Sequence, residues 1–502
     1  MKKVITILLI LLSSTVFSQT AGSLDPSFGN GGIVILNDYQ STGNDLALLS
    51  DGKILVVGEI STVSLLKFNS DGSQDTSFIA ANSTIYGIAS SMKIQADGKI
   101  LITGYRNSGN GFIIRYNNDG SIDSSFGIAG IVDVTLKYVY KIEIDTVLNK
   151  IVIGGLSRTG TSDFFALARY NMDGSIDNTF NGIGIKIFTP SYSFPKLMSI
   201  QIDSLSRISA CGFYHFDSNY YSSFATNNWL SRVNADGTMD TNFSNDGLLT
   251  VDNGSYFNEK FNESNAMILK SDGSLLMAGT KGVDPYFGRD FNLYEVSSVG
   301  TLAPSMPINY GFTNNKSDIA SSIAKDNNGK FILAGKTGNG VYQNSFAVLR
   351  LNQDYTSDTS FGVNGRVETF SQDNDNKINN IAIQTDNKIL AIGNIRLGTD
   401  LSFPTKLCLV RYLGSDSLGT NEFENNNGIQ IFPNPVSKNL NLSFNTLPSL
   451  KSIFQITDIN GRVILTGNIE NDTMQINVES LSKGIYFLKI NNNIKTKKII
   501  KN

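Results

Sequence analysis

The stretch Met92–Gly130, MKIQADGKILITGYRNSGNGFIIRYNNDGSIDSSFGIAG, constrains the rest of the chain, because the chain repeats it. Apolar and polar residues alternate through Met92, Ile94 and Ala96 and then meet Asp97-Gly98. A second apolar run, Ile100-Leu101-Ile102, ends at Gly104. A third, Phe112–Tyr116, leads into Asn118-Asp119-Gly120, and the unit closes on Asp123-Ser124-Ser125-Phe126-Gly127. Short runs rich in β-branched and aromatic residues between Asp-Gly pairs predict strands joined by hairpins. Tight hairpins need positive φ, which glycine adopts because it has no Cβ to clash. Each unit therefore predicts four strands, A to D, and the chain is expected to be all-β.

The glycine that closes strand B recurs at Gly58, Gly104, Gly154, Gly212, Gly279, Gly335 and Gly393, which makes seven copies. Strand C recurs with an arginine at Arg115, Arg169, Arg232, Arg350 and Arg411. The fifth copy, Leu293-Tyr294-Glu295-Val296, is the most divergent, and no D strand can be matched after it. Four strands in a period of roughly 40–50 residues predict a propeller, one blade per repeat. A lone blade cannot bury both faces, and a closed ring leaves no open edge. The seventh copy ends at Arg411-Tyr412-Leu413-Gly414 without a D element, whereas Leu24–Leu36 is a D element with no A to C before it. The expectation is a seven-bladed β-propeller over residues 19–413, closed by its own N-terminal strand.

The chain opens MKKVITILLILLSSTVFSQ. Two lysines, an apolar run too short to span a bilayer and small residues near Ser18 predict a secretory signal peptide over residues 1–18. No later run is long and apolar enough for a membrane span. Residues 414–428 are polar and aperiodic and predict a linker. Residues 429–502 predict a small β-sandwich with strands near 439–444, 453–458, 463–467, 473–478, 485–490 and 495–500.

The repeat resembles the delta-60 repeat of bacterial secreted proteins, in the pattern Q-x-D-G-K-I-L-x-x-G and R-Y-N-x-D-G-S-x-D-x-S-F-G. That resemblance implies a propeller and no defined reaction. The tail is similar to the C-terminal type A sorting domain of the type IX secretion system of Bacteroidota. The carrying residues are Pro433-Asn434-Pro435, Gly461 within Asp458–Val463, Gly484 and Tyr486 within Leu481–Tyr486, and the basic end with Lys497 and Lys498. This likeness implies that the type IX machinery is a partner and that the protein is secreted or held on the outer cell surface.

Charge and chemistry narrow the function. With 41 basic and 44 acidic residues the net charge is −3, so a nucleic-acid partner is not expected. The alternating oxygens of Asn69-x-Asp71-Gly72-Ser73-x-Asp75 imitate a calcium loop, but the glycine is misplaced for an EF-hand and no bidentate glutamate follows. Asx turns explain the pattern better, with Ca²⁺ as the alternative and no other cofactor expected. One histidine, His215, excludes metal sites that need two and weakens triad chemistry. A Cys211–His215 pair is conceivable, but a buried thiol beside a loop histidine is the simpler reading. The strand-C arginine is expected to pair with a repeat aspartate.

Function should lie where the repeats differ. The longest spacing brings Tyr214, His215, Asp217, Tyr220 and Tyr221 of blade 4 toward Tyr256, Phe257 and Glu259. Blade 5 adds Asp284, Tyr286, Phe287, Arg289 and Asp290. Aromatic residues with a few charges suit a glycan or protein surface. A binding or adhesion module is therefore the favoured reading. The alternative is a propeller-type polysaccharide hydrolase or lyase using carboxylates such as Asp217, Glu259 and Asp290. No catalytic residue or metal ligand is assigned.

Overall fold

A computed structural model describes residues 20–36, 40–60, 62–78, 80–81, 84–189, 193–215, 226–251, 261–282, 288–312, 316–338, 343–370, 374–396, 404–415, 429–444, 452–458, 461–469, 471, 473–490 and 495–502. The residues fall into two compact units that divide between Gly419 and Thr420.

Among the described residues the first unit contains seven antiparallel sheets, one for each repeat. Their A strands are Thr42–Leu48, Gly87–Ile94, Tyr138–Asp145, Ser193–Ile202, Phe261–Leu269, Ile319–Lys325 and Lys377–Ile383, and they touch in cyclic order. Among the described residues seven separate apolar cores lie between neighbouring sheets. The core formed by Phe28, Leu46, Val56, Leu390 and Leu409 joins the seventh sheet back to the first. Blade 1 shows three strands among the described residues, and blade 6 gains a short parallel strand at Asn374–Asp375.

Ring closure follows from the N-terminal strand. Ile33–Ile35 pairs antiparallel with Thr405–Tyr412, the C strand of blade 7, with Val34 opposite Leu409. Upstream, Gly22 N–H donates to the Leu413 carbonyl at 2.8 Å, and Gly362 N–H of blade 6 donates to the Ala21 carbonyl at 2.9 Å. The first described residues thus join blade 6 to blade 7.

The strand-C arginine explains why the D element has its sequence. Arg115 Nε donates to Asp123 Oδ2 at 2.7 Å, and the guanidinium lies over the Phe126 ring at 4.5 Å. Arg169 with Asp177 and Phe180, Arg232 with Asp240 and Phe243, and Arg350 with Asp358 and Phe361 repeat this clamp. Arg411 repeats it with Asp25 and Phe28 from the other end of the chain. A cation from the A–B turn joins most clamps, as Lys99 does with Asp123 at 2.9 Å. Arg115 and Arg169 also donate to carbonyls of the next blade, at Met172 and Ala235. In blades 2 and 3 the clamp therefore ties three strands and two blades through one desolvated charge set.

Blade 5 departs from the rule consistently. Glu295 stands in the arginine's place, Ala303 in the aspartate's and Met306 in the phenylalanine's, and Lys270 pairs with Glu295. The reversed charges keep one ion pair without the aspartate. Its D strand, expected to be unmatched, is present at Ile308–Tyr310 and pairs with Phe291–Leu293. The signature had gone, but the backbone ladder had not.

Blade 3 needs a shift of one residue. Gly155, rather than Gly154, is the equivalent of Gly58 and Gly104. A Cβ on Gly155 would lie 1.9 Å from the Tyr138 carbonyl oxygen, as one on Gly104 would lie 1.8 Å from that of Ile88. A Cβ on Gly154 would instead meet the Ile200 side chain. Every A strand bulges at this level, for example between Gly43 and Asp45 and between Ser264 and Ala266. The glycine gives the bulged carbonyl room.

The second unit has a three-stranded sheet, Ile429–Phe432, Asn439–Phe444 and Thr473–Asn477. A four-stranded sheet comprises Val463–Ile469, Ser452–Thr457, Gly484–Ile490 and Lys495–Lys501. Both sheets contribute to one core, including Leu440, Leu442 and Ile476 from the first and Ile456, Leu488 and Ile499 from the second.

Candidate functional site

The B–C and D–A connections open on one face of the ring. Tyr220, Tyr221, Tyr256, Phe257, Tyr286 and Phe287 lie outside the described residues, as do Asp217, Glu259 and Asp284. The strand ends beside them are described. Tyr214 and His215 end the B strand of blade 4, Ile208–His215, with His215 opposite Ser193 and Thr226. Tyr214 packs against the core between blades 3 and 4. His215 is half-buried, and burial, aided by the nearby Lys196 charge, holds its basicity below the usual value. The imidazole is therefore neutral at neutral pH.

Against His215 stands Phe194, which the sequence did not single out. The rings meet edge to face at 5.6 Å. Phe194 is 46% exposed and holds φ at 47°, a left-handed conformation unusual for a bulky residue. An exposed aromatic residue in a strained backbone is a feature that a purely structural position seldom keeps. The Phe194-Pro195 step at the start of the A strand, Ser193–Ile202, was the available signal.

Cys211 is four residues from His215 on the same extended strand, about 13 Å away. Its thiol is fully enclosed, and burial pushes it up to about 12. The two do not pair. Cys408 is likewise buried and free.

Arg289 opens the C strand of blade 5, Arg289–Val296, and is only 9% exposed. It contributes to the field at Glu263, whose carboxyl is pushed up by burial. Asp290 is also pushed up by burial. Beside it, Asp318 accepts the Phe312 N–H at 2.8 Å, and burial, with Asp290 adding like charge, pushes it up to about 6. Asp318 is fully buried, so this carboxyl braces the loop before blade 6 and touches no solvent-borne molecule.

The Asx-rich turns are self-contained. Asp71 Oδ1 accepts from the Ser73 amide and hydroxyl, and Asp75 accepts from Ser77 and Lys53. Asp119, Asp173, Asp236 and Asp354 repeat the Asp71 arrangement. Among the described residues no cluster of three or more His, Cys, Asp or Glu side chains could hold a metal ion.

In the C-terminal unit, Asn434 Oδ1 accepts the Ile500 N–H at 2.8 Å, which ties the Pro433-Asn434-Pro435 bend to the last strand. Gly461 has φ 79° in a turn capped by Asp458. Tyr486 donates to the Ser482 carbonyl at 3.0 Å, and Gly484 starts the strand that pairs with the last one. Lys497 and Lys498 lie in that last strand, opposite Leu488 and Phe487.

Residues 430–502 match the model of the secretion system C-terminal sorting domain. The C-terminal unit is a type IX sorting domain. Proteins bearing this sorting domain are exported to the cell surface or secreted, and no described helix is long and apolar enough to cross a membrane. Four stretches ahead of the sorting domain, 49–78, 95–126, 149–180 and 327–361, match a β-propeller domain of unknown function. They fall in blades 1, 2, 3 and 6. No curated protein sequence matches the chain. Among solved structures it is similar to an inactive virginiamycin B lyase from Staphylococcus aureus, at 13% identity over 75% of this chain and 98% of that one, with a TM-score of 0.43. The polysaccharide lyase Uly1 is similar at 8% identity over 77% and 91%, with a TM-score of 0.41. PorZ, a surface component of the type IX secretion system of Porphyromonas gingivalis, is similar at 11% identity over 91% and 65%, with a TM-score of 0.30.

Proposed function

We propose that the chain is a binding or adhesion module that takes a glycan or protein ligand through the loop face of blades 4 and 5. Residues 1–18 act as its export signal, residues 19–413 form the seven-bladed ring, and residues 414–428 link that ring to the sorting domain. In that domain Pro433, Asn434, Pro435, Gly461, Gly484, Tyr486, Lys497 and Lys498 are the positions read by the export machinery. The carrying observation is the exposed, backbone-strained Phe194 set edge-on against the chain's one histidine. It stands at the strand ends from which the aromatic-rich connections depart. In the described part of the face Asp290 is the one carboxylate of the hydrolase or lyase reading, and its neighbour Asp318 is enclosed.

Glycan-array and surface-protein binding by the mature chain tests this. A variant with Phe194, Tyr220, Tyr256 and Tyr286 all changed to alanine should lose the ligand while keeping its melting temperature. Undiminished binding by that variant removes the face. Turnover of a polysaccharide that stops on changing one loop carboxylate would replace binding with catalysis.

A further inference from the structure

The A strands line the ring axis, and their common register stacks the axial side chains in layers. At the level just past the bulges lie Asp45, Ser91, Lys141, Ser199, Ser322 and Asn380. These residues border a cavity of about 350 Å³. Pockets of this size hold small ligands.

Most of the polar groups here are already satisfied. Asp45 accepts from the Leu46 and Met92 amides, the Ser91 hydroxyl and the Asn380 amide. Ser322 donates to Asn380, and one layer further on Lys93 pairs with Glu143 at 2.8 Å. Lys141 is different: among the described residues no acid pairs with it, although it borders the cavity. Ser321, also on the cavity wall, has a buried hydroxyl without a hydrogen-bond partner. Ser199 is 8% exposed and faces the same space. One layer toward the loop face, Lys196, Glu263 and Lys377 occupy equivalent positions on blades 4, 5 and 7, two cations against one anion.

We infer that the axial cavity is a binding site for a small sugar acid, with the Lys141 ammonium holding the carboxylate and the Ser199 hydroxyl meeting a sugar hydroxyl. A lysine in a partly enclosed site makes a charge-assisted hydrogen bond that a neutral sugar cannot replace. The Ser199 hydroxyl can both donate to and accept from a sugar hydroxyl, whereas a bare inorganic anion offers it mainly acceptors. This site is separate from the blade 4–5 loop face, so the alanine variant of that face should leave it intact.

Calorimetric titration of the full mature chain with galacturonate, glucose and inorganic phosphate decides the matter. Galacturonate should bind, glucose should not, and phosphate should bind more weakly. Lys141→Met should weaken galacturonate binding by roughly tenfold or more with an unchanged melting temperature, the loss of one charge-assisted bond. Ser199→Val, which keeps the charge, should weaken it less but measurably, and it carries the test if the lysine variant does not fold. No galacturonate binding, phosphate binding at least as tight, or unchanged affinity in both variants would overturn the assignment.

Discussion

Removing the Asp25 carboxylate tests whether the ring is held by its N-terminal latch. Asp25 Oδ2 accepts from Arg411 Nε at 2.8 Å and lies 3.3 Å from Lys388 Nζ, and its Oδ1 accepts from the Ser27 amide and hydroxyl. The side chains of Asp25 and Arg411 are 4% and 6% exposed. In Asp25→Ala the guanidinium stays buried against Phe28 without its counter-charge, and breaking a buried pair from one side costs about 3–5 kcal/mol. The control is Asp97→Ala, where an exposed carboxylate caps one amide of the A–B turn, worth about 0.5–1 kcal/mol. Trp229 is the assay. It is the one tryptophan, fully buried in blade 4 and stacked on Phe165 at 4.1 Å, far around the ring from the latch. Urea unfolding followed by Trp229 fluorescence should shift in Asp25→Ala together with far-ultraviolet dichroism, because losing closure exposes both edge blades. Adding Arg411→Met should recover part of the loss by removing the stranded charge. A loss below about 1 kcal/mol, or one no larger than that of Asp97→Ala, would refute the latch.

Acid should weaken the same clamps. Burial pushes Asp25 and Asp177 up, but hydrogen bonds from the following hydroxyl and amide, with the arginine charge, outweigh it, so both are held low, Asp177 at about 2. A depressed carboxyl stabilises the fold above its unfolded value near 4, and that contribution is lost as pH falls through the folded value. Urea midpoints should therefore drop steeply below pH 4. Asp318 has the opposite sign: with its folded value raised to about 6, it penalises the fold as pH rises through that value. Asp318→Asn should flatten the pH dependence between 4 and 7 and gain up to about 3 kcal/mol at pH 7, measured as urea stability against pH. Gly155→Ala should cost roughly 3 kcal/mol or more by forcing a Cβ onto the Tyr138 carbonyl, whereas Gly154→Ala meets only the ends of the Ile200 and Leu197 side chains and should cost about 1 kcal/mol. Equal urea midpoints for these two variants would contradict the register of blade 3.

The sequence by itself determined what local chemistry controls. Asp-Gly pairs need only their own backbone to turn, so hairpins, strand types and repeat number were legible. The lone D element near Phe28 and its absence after Arg411 pointed to closure, because a missing strand and a spare one are both written in the chain. The sorting tail was readable from its motifs for the same reason. Tertiary structure decided whatever depends on which strand lies opposite which. The D strand of blade 5 persists after its signature is gone because a ladder is held by backbone groups that carry no side-chain code. Gly154 and Gly155 could be told apart only by the carbonyl that approaches one of them. Asp318 next to Asp290, Phe194 against His215 and the layers around Lys141 join residues whose neighbours are set by the ring's curvature. No spacing along the chain records that curvature.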